Sequence, residues 1–210
     1  MPDPVTRGQG PAGPTLVLAT GHHLSLALLD GEQVVAEHHQ ALERGHAEAL
    51  MPAVRRLLDG RPRPTSILVE VGPGSFTGLR VGVAAARALG LAWGCPVDGV
   101  SSMGLVAAGA ARRGHRGPLL VMLLAPRGQT WIQKFDGLQP LGPAQSLAAE
   151  AARRLAAAAG CPATGSGARA LGLCGAEDRP RAAWAGRLGR DQWRPPLPLY
   201  VRPVEDALAA

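Results

Sequence analysis

The sequence predicts an α/β layered fold in which three antiparallel strands are followed by alternating helices and strands. Three observations carry this. Short apolar runs are punctuated by turn residues, and Asp30-Gly31 between two of them is a strong hairpin signal. Leu50, Val54, Leu57 and Leu58 recur at the spacing of one helical face. A third apolar run ends at Val71 and passes through Gly72-Pro73-Gly74 into a second helical segment, so these glycines sit at a strand-to-helix turn.

In chain order, Thr15 to Thr20 reads as a buried strand, Leu24 to Leu29 as a partly alternating one, and Gln33 to His38 as the strand returning from the hairpin. A helix begins at Ala47; Pro52 inside it removes one hydrogen bond and should kink it, and Asp59-Gly60 ends it. The strand Ser66 to Val71 follows. Pro73 fixes its own φ while Gly72 and Gly74 reach conformations closed to other residues, which makes a tight turn, and Ser75 or Thr77 can cap the next helix. That helix runs to Trp93. Pro96 to Val100 reads as a strand, and Ser101 or Ser102 can cap a further helix through Ala110.

A second unit opens at Leu119. Leu119 to Leu124 is a buried strand, Arg127-Gly128 a turn, and Thr130 to Phe135 the returning strand. Ala148 to Ala159 is an alanine-rich helix for which Ser146 is the expected cap and Gly160 the stop. The Gly-, Ala- and Arg-rich stretch 164–195 carries no periodicity that assigns it, and Pro196 to Pro203 reads as a tail lying extended on the body. The expected organisation is a disordered leader at 1–13, a first subdomain at 14–110 and a shorter second subdomain with the tail at 111–210.

The second helix is unusual. Gly78, Gly82, Ala86, Gly90 and Gly94 recur at every fourth position and lay a ridge of minimal side chains along it. A glycine inside a helix costs about 1 kcal/mol relative to alanine, so a close contact should offset the cost. A membrane dimer face uses such spacing, but Arg80 and Arg87 interrupt the apolar run well short of a span. The ridge therefore packs against another helix or backbone.

The chain carries a net charge of +6 with a single lysine, Lys134, the remaining basic residues being arginine; with Ala, Gly and Pro also enriched, this reads as composition bias as much as nucleic-acid affinity. Cys95, Cys161 and Cys174 are odd in number and widely spaced, which argues for reduced thiols in a cytoplasmic setting and against a disulfide framework or zinc knuckle. The leader lacks the apolar core of a signal peptide.

The run Gly72-Pro73-Gly74-Ser75-Phe76-Thr77-Gly78-Leu79-Arg80-Val81-Gly82, the segment Gly90 to Ser102 and the tail Leu199-Tyr200-Val201-Arg202-Pro203 strongly resemble the TsaB (YeaZ-type) family of tRNA threonylcarbamoyladenosine biosynthesis. The resemblance covers most of residues 15–110 and is thin from 138 to 195. It implies an actin-like, sugar-kinase-like fold of two βββαβα halves, the second abbreviated. It implies a subunit without catalysis of its own and without a cofactor. The partner is a larger catalytic paralogue (TsaD-type) that transfers a threonylcarbamoyl group to the adenosine next to the anticodon, with a small ATPase (TsaE-type) as third component and tRNA met indirectly. A homodimer through the same helices is the alternative when the chain is alone. No membrane partner is implied.

The resemblance places the partner contact on the Pro52 helix and the glycine-ridged helix. The residues expected to make it are His46, Leu50, Val54, Gly78, Arg80, Gly82, Ala86 and Gly90, with Gly72, Pro73, Gly74, Ser75, Phe76 and Thr77 forming the motif turn. Gly82→Leu should then weaken assembly while leaving the chain folded. Arg80 should meet an acidic group of the partner.

Two departures bear on chemistry. Family members usually carry Asp-Thr at the end of the first strand, where this chain has Ala19-Thr20. They commonly carry Asp-Ala-Arg or Asp-Ala-Lys in the second half, where it has Ala125-Pro126-Arg127. Nucleotide-hydrolysing proteins of this fold need carboxylates there, because Mg²⁺ on phosphates takes oxygen ligands, so no intrinsic ATP hydrolysis is expected. A phosphate cradle at the glycine turn lacks the Lys-Ser or Lys-Thr of a P-loop. The histidines His22, His23, His38, His39 and His46 contain no H-x-x-x-H pair, and adjacent ones on a strand face opposite sides, so no metal site is expected. Ser75 or Thr77 as nucleophile would have only Glu70 as a near base. The competing reading is a free-standing enzyme of this fold, an ATP-dependent phosphotransferase or a metallopeptidase.

Overall fold

In the computed structural model, which describes residues 13–42, 44–173 and 178–202, two five-stranded sheets lie on either side of one buried helix. The first sheet takes β1 (Thr15–Ala19), β2 (Leu24–Asp30), β3 (Gln33–Gln40), β4 (Ser66–Gly72) and β5 (Val97–Ser101) in the order β3-β2-β1-β4-β5. β1, β2 and β3 are antiparallel neighbours, the hairpin turning at Asp30 as expected, while β4 and β5 run parallel to β1. Parallel strands need crossovers, and α1 (His46–Leu58) and α2 (Phe76–Trp93) supply them.

The second half repeats this plan in shorter form. β6 (Pro118–Leu124) pairs antiparallel with β7 (Gln129–Asp136); β8 (Gln139–Pro140) and β9 (Gln145–Ala148) share the outer edge of β7; α4 (Ala149–Ala158) crosses over to β10 (Ala163–Thr164), parallel to β6, and α5 (Ser166–Ala170) follows. With β8 and β9 together in the place of one third strand, both halves have the order βββαβα, the actin-like arrangement that the family resemblance implies. α3 (Ser102–Arg112) joins them.

The layers follow from which face each side chain takes. Leu16, Leu18, Leu26, Ile67 and Val69 point to α1 and α2, whereas Val17, Ala27, Leu29 and Leu68 point the other way. α3 fills the middle, buried from Ser102 to Ala110, with Leu105 and Ala108 on the first sheet and Met103, Val106 and Ala107 on Val121, Leu123 and Phe135 of the second. The far face of the second sheet is covered by Ala152 of α4 and Ala168 of α5.

Three expectations change. β2 does not alternate: it is buried on both faces, because the 3-10 turn Ala182–Arg187 returns from the end of the chain and packs Ala182, Ala183 and Ala185 beneath it. This gives structure to part of the unassigned stretch 164–195. Ser146 is not a helix cap; it pairs with Trp131 within β9, and α4 starts from Ala148 with no side-chain cap. Leu58 is half-buried, and Ala53 takes its place on the inner face of α1 beside Leu50, Val54 and Leu57; the helix runs unbroken through Pro52. The expected caps Ser75 and Ser101 both hold, at α2 and α3. Of the expected leader only Gly13 is described; the rest of the leader, Cys174 and Pro203 lie outside the described residues.

Candidate interaction site at the glycine turn

The turn Gly72-Pro73-Gly74 lies where three segments meet: the turn after β1, the start of α2 and the chain's C-terminal tail. Gly72 has φ 116, closed to L side chains, and a Cβ there would stand 2.7 Å from the Leu199 carbonyl oxygen. The Gly72–Pro73 bond is cis. Ser75 caps α2 by accepting from the Gly78 N–H at 3.3 Å, and its own N–H donates to the Gly21 carbonyl at 2.7 Å. Thr77 is exposed and takes no part in the cap.

Glu70, in an otherwise apolar strand, is wholly buried one residue before Val71. Its Oε2 accepts from the Gly21 N–H at 2.7 Å and its Oε1 from the Ser102 hydroxyl at 2.6 Å. One carboxylate therefore ties β4 to the β1–β2 turn and to the start of α3. It is engaged at both oxygens and is not placed as a base for Ser75. The sequence signal was a charged residue inside an apolar strand, and such a residue has to be paired to be buried there.

The glycine ridge faces inward from Gly78 to Gly90, while Gly94 is the exposed C-cap of α2 at φ 66. A Cβ at Gly78 would overlap the Thr20 carbonyl oxygen, one at Gly82 the Thr20 hydroxyl, and one at Gly90 the Val97 side chain. Thr20 donates its hydroxyl to the Gly78 carbonyl at 2.7 Å. The small residues thus let α2 settle on this chain's own first turn and on β5. Ala86, Leu50 and Val54 lie in the same interior cluster, between the sheet and the two helices. Gly78, Gly82, Ala86, Gly90, Leu50 and Val54, expected to meet a partner, are covered by their own chain; fourth-position spacing fixes a shared face but not what covers it. His46 is half-buried at the start of α1, its Nε2 without a hydrogen-bond partner; burial lowers its pKa, opposed by the charge of Glu70.

Arg80 is exposed, and its guanidinium lies 3.6 Å over the Phe76 ring. Its Nε–H donates to the Tyr200 hydroxyl at 3.0 Å, and the Phe76 and Tyr200 rings stand 5.4 Å apart. Within its own chain, Arg80 is thus held by two aromatic rings. The tail lies extended across the sheet ends, as expected: Arg194 exchanges two backbone hydrogen bonds with Gly99 on the β5 edge, and the Leu199 N–H donates to the Val71 carbonyl at 2.7 Å. On the other side of the turn His22 hydrogen-bonds the Pro73 carbonyl at 3.0 Å and meets the Trp131 ring edge-on at 6.2 Å, linking the two halves.

The outer faces of α1 and α2 remain open. Met51, Pro52, Arg55 and Arg56 line a shallow concavity on α1, and Arg80, Ala84, Arg87, Ala88 and Leu91 form one exposed stripe of α2, Leu91 being 88% exposed.

A family model for tRNA N6-adenosine threonylcarbamoyltransferase (TsaD) matches residues 34–174. The chain is 37% identical over 121 residues to the tRNA threonylcarbamoyladenosine biosynthesis protein TsaB of Bacillus subtilis, which covers 56% of this chain and 52% of that one. YeaZ from Pseudomonas aeruginosa superposes with a TM-score of 0.74 at 25% identity over 90% of this chain and 100% of its own. The chain belongs to the TsaB (YeaZ-type) family. An uncharacterised protein of Mycobacterium tuberculosis strain H37Rv is also similar, at 34% identity over 182 residues, 82% of this chain and 80% of that protein. The match to the Bacillus subtilis TsaB spans about half of that protein's length.

In this TsaB-type chain Ala19, at the end of β1, is buried, and Ala125, just after β6, is half-buried with its N–H donating to the Gln129 carbonyl. Neither offers the oxygen ligand that Mg²⁺ prefers. Among the described residues no three His, Cys, Asp or Glu side chains group as metal ligands, Cys95 and Cys161 are unbonded, and no helix is long and apolar enough to cross a membrane.

Proposed function

We propose that the chain is a non-catalytic subunit in tRNA threonylcarbamoyladenosine biosynthesis, binding a larger TsaD-type paralogue that carries out the transfer. The family relationship supports the pathway. The observation that carries the non-catalytic reading is the pair of alanines, Ala19 and Ala125, in the two turns where phosphate-bound metal would need carboxylates. The tight seat of Thr20 on Gly78 and Gly82 supports it further, since α2 occupies the space in front of the first turn.

The paralogue docks on the outer faces of α1 and α2, through Met51, Pro52, Arg55, Arg87 and Leu91. An exposed leucine beside small alanines allows close helix packing, and the arginines select an acidic rim on the partner. A small TsaE-type ATPase completes the complex, and the setting is the cytoplasm.

Co-expression with the larger paralogue tests this. Met51→Glu combined with Leu91→Glu should abolish co-purification while the thermal unfolding midpoint holds, because both side chains are exposed. Retention of the complex by the double variant would sink the interface, and phosphate release from ATP by the isolated chain would sink the non-catalytic role.

A further inference from the structure

On the face of β2 and β3 opposite α1 the described residues form an open cleft of about 420 Å³, lined by His23, His39, Arg113, Asp178, Arg181 and Trp184 among others. His39 lies opposite Ser25 in the strand register, and the Ser25 hydroxyl accepts the Ala182 N–H at 3.0 Å, which brings the returning segment under both histidines. The His23 and His39 rings stand 5.4 Å apart.

The cleft is electropositive in a directed way. Among the described residues lining it the one carboxylate, Asp178, is already committed, accepting from Arg113 at 2.5 Å and from the Thr164 hydroxyl at 2.5 Å, while the charge of Glu37 acts on His39 from β3. Arg113 and Arg181 each hold a guanidinium 5.9 Å from the Trp184 ring centre, so one indole orients two cations. Arg181 is exposed and makes no ion pair with a carboxylate among the described residues. Arg112 and Arg116 are exposed at and just beyond the end of α3, Arg116 donating to the Ala111 and His115 carbonyls.

Guanidinium forks match phosphate oxygens. An open cleft holding two guanidiniums suits a chain of repeating negative charge that can pass along it. We propose that this cleft binds the backbone phosphates of RNA. Resting on the function proposed above, this gives the chain a direct hold on the tRNA that the complex modifies.

Fluorescence anisotropy of a labelled tRNA transcript titrated with the isolated, full-length chain tests it. Arg181→Glu should weaken binding about tenfold and Arg181→Gln by less, and loss of one phosphate contact should lower the salt slope by about one. Arg63→Glu makes the same charge change beyond the opposite edge of the first sheet and should shift affinity by less than about twofold. Thermal unfolding of each variant separates lost binding from lost fold; if Arg181→Glu unfolds the chain, Arg181→Gln carries the comparison. Equal weakening by the Arg181 and Arg63 variants, or none in either, overturns the site. So does unchanged tRNA binding with calorimetric loss of ATP or inorganic phosphate in Arg181→Glu, which would make the cleft a small-anion site. Co-purification of the Arg181 variants with the paralogue reports on the subunit role separately.

Discussion

Arg80 donates its Nε–H to the Tyr200 hydroxyl at 3.0 Å, joining two residues 120 positions apart and fastening the tail to the first turn of α2. Phe76 lies beneath the guanidinium, so the cation is held by a ring on one side and a hydroxyl on the other. Tyr200→Phe should cost about 0.5–1 kcal/mol, since both groups are exposed and water replaces the lost bond. Arg80→Ala removes both contacts and should free the tail locally. Hydrogen exchange at the Leu199 amide, which donates to Val71, is the readout; unchanged protection in Arg80→Ala would show that Arg80 does not hold the tail.

Gly82 and Thr20 form a second coupled pair, because a Cβ at Gly82 would overlap the Thr20 hydroxyl. Gly82→Ala should destabilise the isolated chain by about 1–3 kcal/mol, as overpacking does, despite its gain in helix propensity. Thr20→Ala removes the obstructing oxygen, so Gly82→Ala should cost less in that background. Additive losses in urea unfolding would argue against the contact. By the same geometry Gly82→Leu disrupts the monomer itself, not assembly alone.

Glu70 joins three segments through two hydrogen bonds to a buried carboxylate. Glu70→Gln keeps one acceptor but presents an NH₂ group where the other stood, facing a donor. A loss of about 1.5–3 kcal/mol is expected, the range for bonds to a charged group. An unfolding midpoint equal to wild type would mean that the carboxylate is dispensable.

His39 sets part of the pH response. Burial first, and then the nearby Arg181, lower its pKa from the ordinary 6.5, with Glu37 opposing them. The folded state thus binds fewer protons than the unfolded state below that value. Stability should fall as the pH drops through the unfolded-state pKa, with no contribution from this group well above it. His46 shifts in the same direction, so His39→Asn should flatten only part of the decline. Urea midpoints at about pH 7.5 and about pH 5.5 would measure it; equal slopes for variant and wild type would exclude His39 as a contributor.

The strand and helix order through α3 could be read from the sequence because each element carries its own local signal: the Asp30-Gly31 hairpin, the α1 periodicity, the Gly-Pro-Gly turn. The glycine ridge was legible as a demand for close contact. Its direction was not, because fourth-position spacing is the same whether a partner helix or Thr20 fills the gap. Ala182–Arg187 left no trace, since a short 3-10 turn has no amphipathic period and its anchor on Ser25 lies 157 residues away. The pairing of His23 with His39 depended on β2–β3 register, and the cleft beside them on that same returning segment.

The return of Ala182, Ala183, Ala185 and Leu188 beneath β1, β2 and β4 also orders events during synthesis. A nascent chain that has emerged only as far as α4 has made every strand of the first sheet, yet the face bearing Ala27, Leu29 and Leu68 still lacks its final cover. Maturation of the first half therefore waits for residues 182–188 to leave the ribosome, and chains stalled or truncated before them present a greasy surface to chaperones. A chain ending at Pro180 should bind a hydrophobic dye strongly where the full-length protein does not; equal dye binding would mean that the first sheet closes without its C-terminal cover.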